Sequence, residues 1–79
     1  LESELNQIFE NIDALLLASN LKRENILKCS IFLKNMDDFS EVNEIYSRFF
    51  EKPYPSRETV EVSRLPKNAN IEISFIAGK

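Results

Sequence analysis

The sequence has no histidine, a single cysteine and no long apolar run in its 79 residues. Without histidine, the commonest general base and the commonest metal ligand are both missing. One cysteine and no histidine leave too few ligands for a structural zinc site. No metal or other cofactor is implied, so any chemistry must come from carboxylates, Arg, Lys, Tyr, hydroxyls, backbone groups and water. Cys29 alone cannot form an internal disulfide, which fits a reducing compartment. A cytoplasmic location is therefore expected; an organelle would require a targeting segment ahead of residue 1. No apolar stretch approaches the ~20 residues of a membrane span, and the first residues carry no signal-peptide pattern.

Clustered positive charge is also missing. The net charge is −3, and Lys and Arg are scattered, with Lys22-Arg23 the only adjacent basic pair. Nucleic-acid binders present a basic face because phosphate neutralisation supplies most of their affinity. Neither nucleic acid nor an anionic membrane is an expected partner.

What is present is ordinary for a folded domain. The hydrophobic fraction is 43% and the charged fraction 29%, whereas disorder needs fewer apolar residues and more net charge. The chain reads as one domain over residues 1–79. Folding at this length buries only roughly 60–65% of the unfolded surface. That thin margin makes a partner subunit or a further segment an expectation. Leu1, rather than Met, already lies in a helical pattern, so the chain reads as an N-terminally incomplete fragment.

Leu5, Ile8, Phe9, Ile12, Leu15 and Leu16 recur at helical spacing and predict an amphipathic helix of about four turns. Asn20 is placed to cap it in the left-handed conformation. Ile26 to Leu33 reads as a strand, with Leu27, Cys29, Ile31 and Leu33 facing the helices and Lys28, Ser30 and Phe32 facing away. Asp38 followed by Glu41 resembles a capping box. Phe39, Val42, Ile45, Tyr46 and Phe49 then give a second helix, stopped before Pro53 and Pro55. Thr59 to Val62 and Ile71 to Ala77 alternate as strands, and the linker over residues 64–70 would let these two pair antiparallel. Helix, strand, helix, strand, strand predicts an α+β two-layer sandwich, two helices on one face of a sheet. Its open edges would invite further strands.

Several segments resemble one family in order and spacing. Asn11 to Leu16 resembles its "N(I/L)xALL" helix, and Ile26 to Leu33 its "VVKTTVFL" strand. Met36 to Tyr46 resembles "MNDFAxVNEVY", and Leu65-Pro66-Lys67 with Ile71-Glu72-Ile73 resembles "LPKxAxVEI". The strongest match is Tyr54-Pro55-Ser56-Arg57-Glu58-Thr59-Val60-Glu61-Val62, similar to "YPARSTVEV". On these residues the chain resembles the RidA/YjgF/L-PSP family of imine deaminases. The resemblance implies a chorismate-mutase-like fold with a mixed sheet, here lacking the family's N-terminal hairpin. It implies a homotrimer with clefts between subunits. It implies hydrolysis of enamine/imine acids, such as 2-iminobutanoate and 2-iminopropanoate, to ammonia and the 2-oxo acid. Glu58 stands where Ser is common, and strand alternation should turn it away from Arg57.

A 2-imino acid offers a carboxylate and an electrophilic C=N carbon. Arg57, whose planar fork matches a carboxylate, is the expected anchor; outside the motif it would read as a surface ion-pair partner of Glu58 or Glu61. Glu72 is the expected catalytic residue, holding the attacking water as a general base. Thr59 shares a strand face with Arg57, and Asn43 stands at the family's "VN" position; both are expected substrate-binding residues. Phe39, Tyr46 and Cys29 read as core. If residues 64–70 close a symmetric hairpin, Glu72 comes opposite about Val62, and Arg57 lies roughly 17 Å along the strand at ~3.4 Å per residue. One small acid cannot bridge that. Either the register is offset or the two residues meet across a subunit boundary. Two other functions stay open: an endoribonuclease that inhibits translation, and a non-catalytic ligand-binding trimer.

Overall fold

The computed structural model describes residues 1–52 and 54–79. Helix α1 spans Glu2–Ala18, strand β1 Ile26–Leu33, helix α2 Phe39–Phe49, strand β2 Ser56–Glu61 and strand β3 Ile71–Ala77. Leu5, Phe9, Ile12 and Leu16 form the buried stripe of α1. Leu15, expected on that stripe, is 58% exposed; it lies about 100° round the helix from Leu16. Asn20 ends the helix as expected, with φ 62°. Leu21 N–H donates to Leu16 O at 2.8 Å and Asn20 N–H to Leu17 O at 3.1 Å, the paired bonds of a left-handed cap.

The start of α2 differs from expectation. Asp38 is already helical, with φ −80° and ψ −4°, and its side chain makes no capping bond. A 3-10 turn over Met36–Asp38 runs straight into α2, and Asn35 is the cap, accepting from Asp37 N–H at 3.0 Å. A capping residue needs extended backbone, which Asn35 has and Asp38 lacks. Glu61 Oε1 accepts the next free donor, Met36 N–H, at 2.7 Å. The other end of α2 stops at Phe49, with Phe50 extended; Pro53, expected to help stop it, lies outside the described residues.

The sheet corrects the expected pairing of the last two strands. Its order is β2–β1–β3. β2 runs parallel to β1 and β3 antiparallel to it, so the sheet is mixed. β2 and β3 are not neighbours: residues 62–70 cross the end of β1. The crossing is stitched by Val62 N–H to Leu33 O at 2.8 Å and Lys34 N–H to Asn70 O at 3.0 Å. Glu4 holds it from α1, accepting from Asn70 N–H at 3.0 Å and Asn70 Nδ2 at 2.6 Å. The chemistry favours this order. β1 is the most apolar strand and takes the centre, while Arg57, Glu58, Glu61, Glu72 and Ser74 sit on edge strands that meet water. A parallel β1–β2 pair needs a crossover, and α2 supplies it.

Both helices cover one face of the sheet. The core gathers the α1 stripe, Val42, Ile45 and Tyr46 of α2, Phe50, Ile71, and Ile26, Cys29, Ile31 and Leu33 of β1. Leu27, expected among these, is 59% exposed, and Ile26 is buried in its place. A register irregularity between Ile26 and Lys28 against β3 explains the swap: an extra residue in a strand reverses the alternation before it. Phe9 stacks on Phe49 at 4.0 Å between ring centres and joins the two helices. Arg23 clamps the same junction, donating to both Asp13 carboxylate oxygens at 2.9 and 2.7 Å and to Phe49 O at 3.0 Å. Among the described residues, no helix is long and apolar enough to cross a membrane.

Candidate active site

Register and alternation sort the candidate residues by face. Arg57 stands beside Cys29, which pairs on its other side with Phe75; Thr59 stands beside Ile31 and Ile73. These two rows face the helices. Glu72 pairs with Phe32, which pairs with Val60, and that row faces away. Arg57, Thr59 and Asn43 therefore lie on the helix side, and Glu72 is exposed on the opposite face. Two strand spacings and three residues separate Arg57 from Glu72, or roughly 14 Å between Cα atoms. The hairpin geometry expected from the linker is corrected, and within one chain the two side chains do not meet.

Arg57 reaches from edge strand β2 across to α2. Its Nη1 donates to Asn43 Oδ1 at 2.6 Å. Its guanidinium carbon lies 4.8 Å from the Tyr46 ring centre and 5.7 Å from that of Phe39. Phe39, Asn43 and Tyr46 are spaced i, i+4, i+7, so one stripe of α2 faces the guanidinium. Phe39 is 37% exposed, at the margin of the core rather than within it. Among the described residues no carboxylate pairs with Arg57. The two acids that could have done so are occupied elsewhere. Glu58 accepts from Ser30 Oγ at 2.9 Å and meets Lys28 Nζ at 3.4 Å, on the far face as alternation requires. Those contacts, Ser30 first, hold its carboxyl below the usual range. Glu61 is taken by Met36 N–H.

Beside the guanidinium is an open recess of about 390 Å³ lined by Asn43, Tyr46, Ser47, Tyr54, Pro55 and Arg57. Ser47, Tyr54 and Pro55 carried no assigned role at the site in the sequence. The Tyr-Pro pair immediately before Arg57 in the strongest motif was the available signal. Tyr46 has two roles, as core residue and as platform under Arg57. Its hydroxyl is buried without a hydrogen-bond partner among the described residues. Burial first, then the neighbouring Cys29, pushes its pKa well above the usual tyrosine value. Burial likewise raises the Cys29 thiol, against smaller opposing effects of Tyr46 and Arg57. Cys29 is thus a protonated core residue. Among the described residues no group of three His, Cys, Asp or Glu side chains could hold a metal.

The described residues leave the face bearing Glu72 open. Leu27, Val60 and Ile76 are 59%, 43% and 61% exposed, with Lys28, Glu58, Glu72 and Ser74 among them. These apolar side chains give a neighbouring chain or a further segment something to bury.

Comparison with known proteins agrees with this architecture. A family model described as Endoribonuclease L-PSP matches residues 1–79. The 2-iminobutanoate/2-iminopropanoate deaminase of Dermatophagoides farinae is 41% identical over 76 residues, covering 96% of this chain and 59% of that protein. The crystal structure of the Rid-family protein YyfA from Yersinia pestis superposes with a TM-score of 0.92 at 45% identity, covering 95% of this chain and 60% of that one. E. coli TdcF, solved with bound serine, gives a TM-score of 0.89 at 36% identity over 95% of this chain and 61% of its own. The chain thus spans about three-fifths of the length of these relatives.

Proposed function

The chain belongs to the RidA/YjgF/L-PSP family, and from that premise we propose that it forms part of a hydrolytic deaminase of 2-imino acids. The observation that carries the proposal is the state of Arg57. Its guanidinium opens onto a recess, is held by a neutral amide and aromatic rings, and has no carboxylate partner among the described residues. An arginine kept charged and unpaired beside a concavity is suited to a ligand carboxylate. The serine bound to TdcF is a small acid of this kind.

In this reading Arg57 binds the carboxylate of 2-iminobutanoate or 2-iminopropanoate, Asn43 lines the same recess, and Thr59 stands further along the same strand face, outside the recess lining. Glu72 of a neighbouring copy accepts a proton from water as the oxygen adds to the C=N carbon. Glu72 hands that proton to the nitrogen, and as the tetrahedral carbinolamine collapses its hydroxyl proton follows through the same carboxylate to the departing ammonia, leaving the 2-oxo acid. A homotrimer supplies the neighbour: Glu72 lies on the face opposite Arg57, so the two can share a site when they come from different copies. Holding both reactants in a cleft supplies the proximity that a small, unstable imine lacks in water.

The test is ammonia release from freshly generated 2-iminobutanoate, comparing the wild type with Arg57→Ala. Faster release than the uncatalysed rate with the wild type, and a strongly reduced rate with the variant at imine concentrations well below KM, supports the assignment. Equal rates for the two proteins defeat it.

A further inference from the structure

We infer that Asn43 is a positioning residue for Arg57, an uncharged acceptor that fixes the guanidinium at the recess without neutralising it. The inference rests on the carboxylate-anchor reading of Arg57 and gives Asn43 a role other than direct contact with the substrate.

Arg57 is exposed on an edge strand, where an arginine side chain ordinarily loses no rotamer freedom. Here it is restrained on two sides. The Tyr46 ring lies under the guanidinium, and Asn43 Oδ1 takes one Nη1 hydrogen at 2.6 Å. Guanidinium nitrogens only donate, so the amide must present its oxygen to Arg57. Asn43 sits on the same stripe of α2 as Tyr46, and Tyr46 is buried in the core. The anchor is therefore held by a rigid helix. The remaining N–H groups of the fork are left for a ligand. Pre-setting the side chain removes an ordering cost that would otherwise be met at binding.

The identity of the anchor matters as much as its place. A carboxylate at position 43 would reach the same hydrogen but would form an ion pair and compete with the ligand's own carboxylate. The two nearby acids are diverted, Glu58 to Ser30 and Lys28 and Glu61 to Met36 N–H. The only side chain that hydrogen-bonds Arg57 among the described residues is thus a neutral one.

The experiment uses 2-oxobutanoate, the stable product of the proposed reaction, titrated into 15N-labelled protein, with deaminase kinetics in parallel. Asn43→Ala should weaken binding and raise KM about tenfold, the lower end for a hydrogen bond to a charged group, with kcat within about twofold of wild type. Asn43→Asp should weaken binding further than Asn43→Ala. The Arg57 Nε–H signal should show increased side-chain motion in Asn43→Ala, while the melting temperature stays near the wild-type value. Asn43→Ser provides a second truncation should the alanine variant unfold. The decisive arm is the double variant: Asn43→Ala should add nothing in an Arg57→Ala background. Additive losses would mean that Asn43 touches the ligand itself and would overturn the inference, as would tight binding by Asn43→Asp. Unchanged affinity in Arg57→Ala alone would instead refute the anchor reading, an outcome separable from the other two.

Discussion

Replacing Arg57 by Lys and by Ala separates charge from shape at the candidate anchor. In the wild type one Nη1 hydrogen is held by Asn43, and Arg57 lines the recess. A ligand carboxylate there can accept two charge-assisted hydrogen bonds. At the lower end of ~1.5 kcal/mol each, suited to an open site, these contribute about 3 kcal/mol. Arg57→Ala should then lower kcat/KM roughly 100-fold, at 1.4 kcal/mol per tenfold. Lysine keeps the charge but loses the planar fork. With one bond retained, Arg57→Lys should fall roughly tenfold below wild type. The anchor grips substrate and transition state alike, so most of either loss should appear in KM. Initial rates of ammonia release over a range of imine concentrations give both constants, and thermal unfolding checks that the fold survives. Alanine and wild-type values within about twofold would refute the reasoning, as would a lysine variant no better than alanine.

Other consequences concern the scaffold. Leu33 is 0% exposed, and Leu33→Ala should cost about 2–5 kcal/mol in urea unfolding, where a loss below ~1 kcal/mol would place the side chain outside the core. The hydrogen bonds from Arg23 hold the Asp13 carboxyl below the usual carboxylate range. The unfolded chain therefore binds that proton more readily, so the Asp13 contribution is present above about pH 3.9 and is lost as pH falls through the folded value. Melting temperature against pH should show a smaller acid-side decline in Asp13→Asn than in wild type; identical slopes would contradict the clamp. Cys29 is 1% exposed with a raised thiol pKa, so a thiol reagent should label it at the rate of unfolding; labelling as fast as a free thiol would show that it is accessible.

The elements were legible because each depends on nearby residues. The bounds of β1 and β3 follow from dense apolar runs ended by Lys34-Asn35 and Gly78, and Asn20 marks the end of α1 by its tolerance of left-handed backbone. Strand order was not legible. A linker over residues 64–70 can close a hairpin or cross one strand, and local pattern does not distinguish the two. Only long-range burial decides it, because β1 has too much apolar surface for an edge. The Leu27 reversal had the same origin, since a bulge is a property of the pairing and not of the strand alone. At the site, the motif identified Arg57 and Asn43, which the structure joins by a hydrogen bond. It also pointed to Glu72, which the fold puts on the other face. In the observed register the two residues point to opposite faces, because side chains alternate across a sheet.

Mixing two impaired variants, assayed at imine concentrations well below KM, tests the shared-cleft claim directly. Arg57→Ala and Glu72→Gln would be unfolded together and refolded as mixed trimers. If each site takes Arg57 from one copy and Glu72 from another, every mixed trimer contains one intact site of three. Equal random mixing makes about three-quarters of trimers mixed, so about a quarter of wild-type deaminase activity should return. Activity that stays at the level of the separate variants, in samples shown to contain mixed trimers, would mean that both residues act within one chain or that one of them does not act at all.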